Sequence, residues 1–192
     1  MLLANRQCGW ILFGMIGGIS ALGRARLYPV VCTEPGAARP AVSHVSIAPE
    51  INGAARFIAR HYRVSAARAF DIAETVFRVS SERRINPYLV LAVIAVESSF
   101  RPHVVNRYGG AYGLMQIAVR VHERQVAAAG GRRKLFRIAP NIRLGVDLLV
   151  QYGARGAAQV KHALWRYSGG EEGYAGRVLA LSTRLRERVQ ML

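Results

Sequence analysis

Nine consecutive apolar side chains, Tyr88 to Val96, constrain this chain more than any other stretch of it. Asn86 is a good helix N-cap, and Pro87 suits the first helical position, where a missing N–H costs nothing. The run therefore reads as a helix from Pro87 to Ser99, ending before Pro102. A helix with no polar face is normally buried on all sides. At its far end stands a lone acid, Glu97. Burying a charge is costly unless a partner compensates it. Desolvation and the negative end of the helix dipole both push such a carboxyl upward in pKa. A Glu held protonated near neutral pH serves as a general acid. The other reading is a helix-terminal Glu paired with an arginine such as Arg101, because structural ion pairs also perturb pKa. These residues alone leave both open.

The rest of the chain arranges itself around that helix. Residues 1–23 read as a signal peptide or N-terminal anchor. Arg6 supplies a short basic start, Gly9 to Leu22 is uncharged and mostly apolar, and Ala21-Leu22-Gly23 suits cleavage. The run falls short of a comfortable span of about 20 residues. Residues 24–55, with Pro29, Pro35, Pro40 and Pro49 and no sustained period, read as a poorly ordered linker. Residues 56–192 form the remaining domain, large enough for a real core. Its periodicity predicts helices from Ala66 to about Arg84, Pro140 to Tyr152, Ala157 to Tyr167 and Tyr174 to about Gln190. The first is capped by Ser65 and puts Phe70, Ala73, Val76 and Phe77 on its buried face, extended to Ser80. Arg101 to Gly113 reads as a loop with turns at Gly109, Gly110 and Gly113. No alternating run is long enough for a strand, so the fold class is all-α.

Glu97-Ser98-Ser99-Phe100 is followed by Gly110-Ala-Tyr-Gly-Leu-Met-Gln-Ile117. Further along come Asn141-Ile142, Gly145, Leu148-Leu149, Ala163-Leu-Trp-Arg-Tyr167-Ser-Gly-Gly170 and Tyr174 to Leu179. In this order and spacing the chain resembles the soluble lytic transglycosylase family, a lysozyme-like helical domain that cleaves bacterial peptidoglycan. The resemblance implies a groove beside the buried central helix, with Glu97 as catalytic acid and then base. It implies that Asn106, Met115, Gln116 and Tyr167 bind substrate, with the Tyr167 hydroxyl directed at the Glu97 carboxylate. Core packing is the competing reading for Met115, and an unrelated buried hydrogen bond for Tyr167. Two positions depart from the family pattern. Ser168 replaces an Asn, which predicts a looser backbone there, and Asn106 occupies the neighbourhood where relatives carry Ser or a similar polar group.

The acid count bears on mechanism. No Asp or Glu occurs between Ser98 and His122, whereas ordinary glycosidases need two carboxylates. Asp71, Glu74, Glu82, Asp147, Glu171 and Glu172 could approach in space, but none lies in a motif. With one carboxylate, the sugar must supply its own nucleophile. The resemblance says how: the N-acetyl group assists departure, and the muramoyl 6-hydroxyl closes a 1,6-anhydro ring. A hydrolytic muramidase and an inactive peptidoglycan-binding module are the alternatives.

Charge decides the partner class only coarsely. With 27 basic against 11 acidic residues the chain carries +16, which asks for a polyanionic partner. Arg132-Arg133-Lys134 and Arg137 would suit nucleic acid. A signal segment ahead of a glycan-cleaving motif favours the anionic cell wall instead, so no nucleic acid is expected. Expected partners are peptidoglycan glycan strands and, by analogy with small relatives, a secretion, conjugation or pilus machine. The expected location is periplasmic, with anchoring to the inner membrane if the N-terminal segment is retained, and the expected state a monomer. Cys8 and Cys32 fit no metal motif and the five histidines are scattered, so no metal or cofactor is expected.

Overall fold

The computed structural model describes residues 48–191. The segment read as signal or anchor, both cysteines and most of the linker lie outside the described residues. Seven α-helices are present among the described residues: α1 Ala48–Tyr62, α2 Ala66–Arg83, α3 Pro87–Ser98, α4 Glu123–Ala128, α5 Ile138–Gln151, α6 Val160–Tyr167 and α7 Tyr174–Gln190. A 3₁₀ turn, Arg132–Phe136, precedes α5. Between α3 and α4 lies a small antiparallel sheet in the order β1 Val105–Asn106, β2 Ala111–Tyr112, β3 Ile117–Ala118. The all-α class stands, with this sheet as its one β element among the described residues. None of the described helices is long and apolar enough to cross a membrane.

The buried helix is α3. Asn86 Oδ1 accepts the Tyr88 N–H at 2.9 Å, and Pro87 occupies the first turn. Every side chain from Tyr88 to Ala95 is buried, and only Val96 reaches solvent. Helix α2 packs against α1, α3 and α5, while α7 covers α3 and also meets α1 and α6. The α3 helix is closed by two consecutive residues in left-handed backbone, Ser99 (φ 50°) and Phe100 (φ 60°). Phe100 is fully buried and meets Tyr62 edge-on at 4.6 Å between ring centres. That reversal begins two residues after Glu97 and turns the chain away from the end of α3.

Four expectations need correction. Residues 48–55, read as linker, are the first half of α1. Pro49 sits in the first turn, where proline is tolerated. Gly53 lets α7 approach, since a Cβ there would lie 3.0 Å from Val189 Cγ1. On α2, Phe70 points outward at 41% exposure, and the buried stripe is Ala69, Ile72, Ala73, Val76, Val79 and Ser80 with Phe77 beside it. Ser65 precedes α2 without a side-chain capping bond. The loop from Arg101 to Gly113 is also more regular than expected, because β1 and β2 pair within it, Val105 opposite Tyr112 and Asn106 opposite Ala111.

One buried side chain fixes the sheet to the helices. Asn141, on α5, is wholly buried. Its Oδ1 accepts the Met115 N–H at 2.8 Å, and its Nδ2 donates to Tyr112 O at 3.0 Å and Leu135 O at 2.9 Å. Three backbone groups, one on β2, one in the β2–β3 turn and one in the 3₁₀ turn, are thereby tied to a single side chain. Gly113 makes this possible. Its φ is +80°, and a Cβ there would stand 2.1 Å from Leu135 O and 2.3 Å from Asn141 Nδ2.

Candidate active site

The last turn of α3, the sheet, the end of α6 and the start of α7 enclose a cleft of about 480 Å³ with Glu97 in its wall. A larger groove, about 1250 Å³, runs between α1, α2 and the end of α7. Small and apolar side chains dominate its lining, and it contains none of the motif residues.

Glu97 has no arginine or lysine partner among the described residues; Arg101 donates instead to the Ser98 carbonyl at 3.2 Å. Its partner is Tyr174, the first residue of α7, whose hydroxyl donates to Glu97 Oε1 at 2.5 Å. Burial pushes the Glu97 carboxyl above its ordinary range, the Tyr174 hydrogen bond opposes that, the Glu171 charge adds to it and Arg177 offsets it. Burial likewise raises Tyr174 and Tyr167, so both hydroxyls stay protonated and donate. The arrangement is a carboxyl able to hold a proton and to release it, steadied by a neutral donor.

Glu97, Asn106, Gln116 and Tyr167 line this cleft together. The Tyr167 hydroxyl does not reach Glu97. It donates to the Met115 carbonyl at 2.8 Å, and Tyr174 holds the carboxylate in its place. Met115 is wholly buried and contributes no side chain to the cleft. It packs on α5 at Gly145, where a Cβ would fall 2.3 Å from the Met115 sulfur. Its backbone supports the site while its side chain belongs to the core. Gln116, at φ 47°, donates from Nε2 to Val104 O at 3.1 Å and Gly113 O at 2.8 Å, pinning the loop it stands on. Asn106 spends its Oδ1 on the Tyr108 and Gly109 N–H groups, both at 3.1 Å, which leaves its Nδ2 for any ligand.

Ser168, where the family carries Asn, does not loosen the turn. Its Oγ donates to Trp165 O at 2.9 Å and accepts the Glu171 N–H at 3.0 Å, closing the Gly169-Gly170 reversal. Glu171 is a second carboxylate in the cleft lining, exposed and ion-paired with Arg177, whose guanidinium also lies 5.8 Å from the Tyr174 ring centre. Sequence reasoning gave Tyr174 no part in the site, although it opens the matched Tyr174–Leu179 motif. A tyrosine at the first position of a helix, directly after glycine, was the signal available. Among the described residues no group of three or more His, Cys, Asp or Glu side chains is placed to hold a metal ion.

A helical body built around a buried helix, with one desolvated acid at its end, is the frame of a lysozyme-like glycan-cleaving domain. The model of the transglycosylase SLT domain family matches residues 74–179, and the chain belongs to that family. The family's general activity is lytic-transglycosylase-type action on peptidoglycan, and membership implies a peptidoglycan-binding domain. No curated protein and no solved structure matches the chain.

Proposed function

We propose that the chain is a peptidoglycan lytic transglycosylase that cleaves the β-1,4 bond between N-acetylmuramoyl and N-acetylglucosaminyl units and leaves 1,6-anhydromuramoyl ends. The observation that carries this reading is the contrast between the two cleft carboxylates. Glu97 is shielded, outside any ion pair and raised in pKa, whereas Glu171 is exposed and paired with Arg177. Glu97 gives its proton to the leaving oxygen as the C–O bond breaks and the N-acetyl carbonyl stabilises the sugar carbon. The carboxylate so formed then takes the proton of the muramoyl 6-hydroxyl as that oxygen bonds to the same carbon. Proton and charge return to their starting state, and no water is consumed. A nucleophile already on the bound ring has the advantage of intramolecularity, with effective molarities of about 10⁵ M or more. Tyr174 holds Oε1 through both steps. Asn106, Gln116 and Tyr167 position the glycan along the cleft.

Hydrolysis by a muramidase route is the second reading, and Glu171 motivates it as a carboxylate sharing the cleft. Mass spectrometry of wall digests in ¹⁸O-labelled water separates the two. Anhydro ends, lighter by one water and free of label, are expected; labelled reducing muramic acid ends would establish hydrolysis. The same proposal places the chain in the cell envelope, with residues 1–23 directing export. Recovery of the protein wholly in the cytoplasmic fraction would refute that location.

A further inference from the structure

One flank of the cleft carries a charge that the proposed chemistry does not use. Arg166, near the end of α6, lines the cleft. Its guanidinium lies over the Tyr152 ring, 4.7 Å from the ring centre. The Tyr152 hydroxyl in turn stands 3.5 Å from His122 Nε2, and both residues face the same cleft. Burial lowers the His122 pKa, so at neutral pH the imidazole adds hydrogen-bonding capacity without a second charge. Among the described residues Arg166 makes no ion pair and no side-chain hydrogen bond. The other arginine in the lining, Arg177, is neutralised by Glu171.

A guanidinium laid on an aromatic face is held as a plane, and its N–H groups point outward along the edges of that plane. Those edges match a carboxylate in a two-pronged geometry that a lysine ammonium cannot reproduce. The glycan backbone itself is neutral. The carboxylates of this substrate class sit on the arm of the muramoyl ring, on the peptide stem where a stem is attached and on the lactyl group where it has been removed.

We propose that Arg166, stacked on Tyr152 beside His122, is an anion subsite that takes a carboxylate carried on the muramoyl arm. The subsite rests on the peptidoglycan reading above, and it makes the enzyme a reader of what the glycan carries as well as a cutter of the glycan.

Binding by the full chain tests this without depending on turnover. Dissociation constants are measured for Glu97→Gln and for Glu97→Gln with Arg166→Gln. The probes are stem-bearing glycan oligomers, amidase-stripped oligomers with free lactyl carboxylates, and neutral N-acetylglucosamine oligomers. Loss of a charge-assisted contact at this exposed position is expected to weaken the carboxylate-bearing probes about tenfold. The neutral oligomer should bind as before, and Arg166→Lys should recover part of the loss. Weakening confined to stem-bearing oligomers assigns the stem carboxylate, and weakening shared with stripped oligomers assigns the lactyl one. Equal weakening of the neutral oligomer, or none of any probe, overturns the subsite alone. Failure of the Glu97→Gln chain to bind any glycan overturns the functional reading and the subsite with it.

Discussion

Glu97 and Asp147 are both helix carboxylates, and the fold treats them in opposite ways. Asp147 stands on α5 with its side chain 42% exposed and accepts from Arg83 Nε at 2.5 Å across to α2. Nearby, Glu82 meets Arg78 and Arg143, so this face is a lattice of surface ion pairs. Pairs of that kind contribute little, because water already solvates both charges well and salt screens them. Glu97 has the reverse environment: shielded, outside any ion pair, hydrogen-bonded to a neutral hydroxyl. The lesson is that a surface carboxylate is tied up in ion pairs with neighbouring arginines, while a shielded one with a neutral donor keeps its proton available. Only the second suits acid–base work.

The sharpest way to break this contrast is to neutralise each acid in turn. Glu97→Gln keeps shape and hydrogen-bonding capacity but has no proton to transfer, so wall-digesting turnover should fall by about 10²–10⁴-fold. Lysis at the parental rate by the purified Gln variant would remove Glu97 from the mechanism. Asn141→Ala asks whether the cleft depends on its scaffold. It strands the Met115 N–H and the Tyr112 and Leu135 carbonyls, and should cost about 3 kcal/mol or more in a denaturant titration. A loss below about 1 kcal/mol would show that other groups or water take those bonds over.

Smaller effects refine the picture. Tyr174→Phe removes a hydrogen bond to a charged group, with an expected loss of about tenfold or more in kcat/KM. Because that bond lowers the Glu97 pKa, its removal should raise it further, and the alkaline limb of the kcat/KM profile should move to higher pH. An unmoved limb would mean that Glu97 is not the group titrating there. Stability gives a further sign. A raised folded pKa means that the native state binds the proton more tightly than the unfolded chain does. Its stabilising effect is full below the unfolded pKa and is lost as pH rises through the folded one. Glu97→Gln should therefore melt higher than the parent near neutral pH, with the difference vanishing in acid. The least effect belongs to Asp147→Asn, which should leave turnover intact and move the melting point only slightly, less still in high salt. A large loss of turnover would mean that Asp147 reaches the chemistry after all.

The parts legible in the sequence were those governed by local chemistry. Asn86-Pro87 and nine apolar residues define α3 without reference to anything distant, and a periodic apolar stripe from Tyr174 onward defines α7. Helix α1 was hidden because Pro49 reads as a breaker unless one knows that it occupies a first turn. The sheet was hidden because strands of two residues are too short to show an alternation. The site failed at a finer grain. Tyr167 and Tyr174 both flank the Ser168–Gly173 turn, and which hydroxyl meets Glu97 depends on how α6 and α7 are set against α3. Likewise the left-handed step at Gln116 turns that side chain to the cleft while Met115 enters the core at Gly145. No periodicity reports such a step.

The double reversal at Ser99 and Phe100 carries a further consequence. Each residue other than glycine held in left-handed backbone costs about 1–2 kcal/mol, and here two in succession, Ser99 and Phe100, follow the acid after one intervening residue. The chain thus keeps a small reservoir of conformational tension close to the proposed acid, restrained by the buried Phe100 ring. Ser99 is where that tension is released most simply, since glycine adopts the same geometry freely. An engineer selecting for heat resistance alone would be drawn to that substitution. The gain in melting point would come with a more mobile end to α3, and Glu97 would keep less well the position that its proposed role as acid requires.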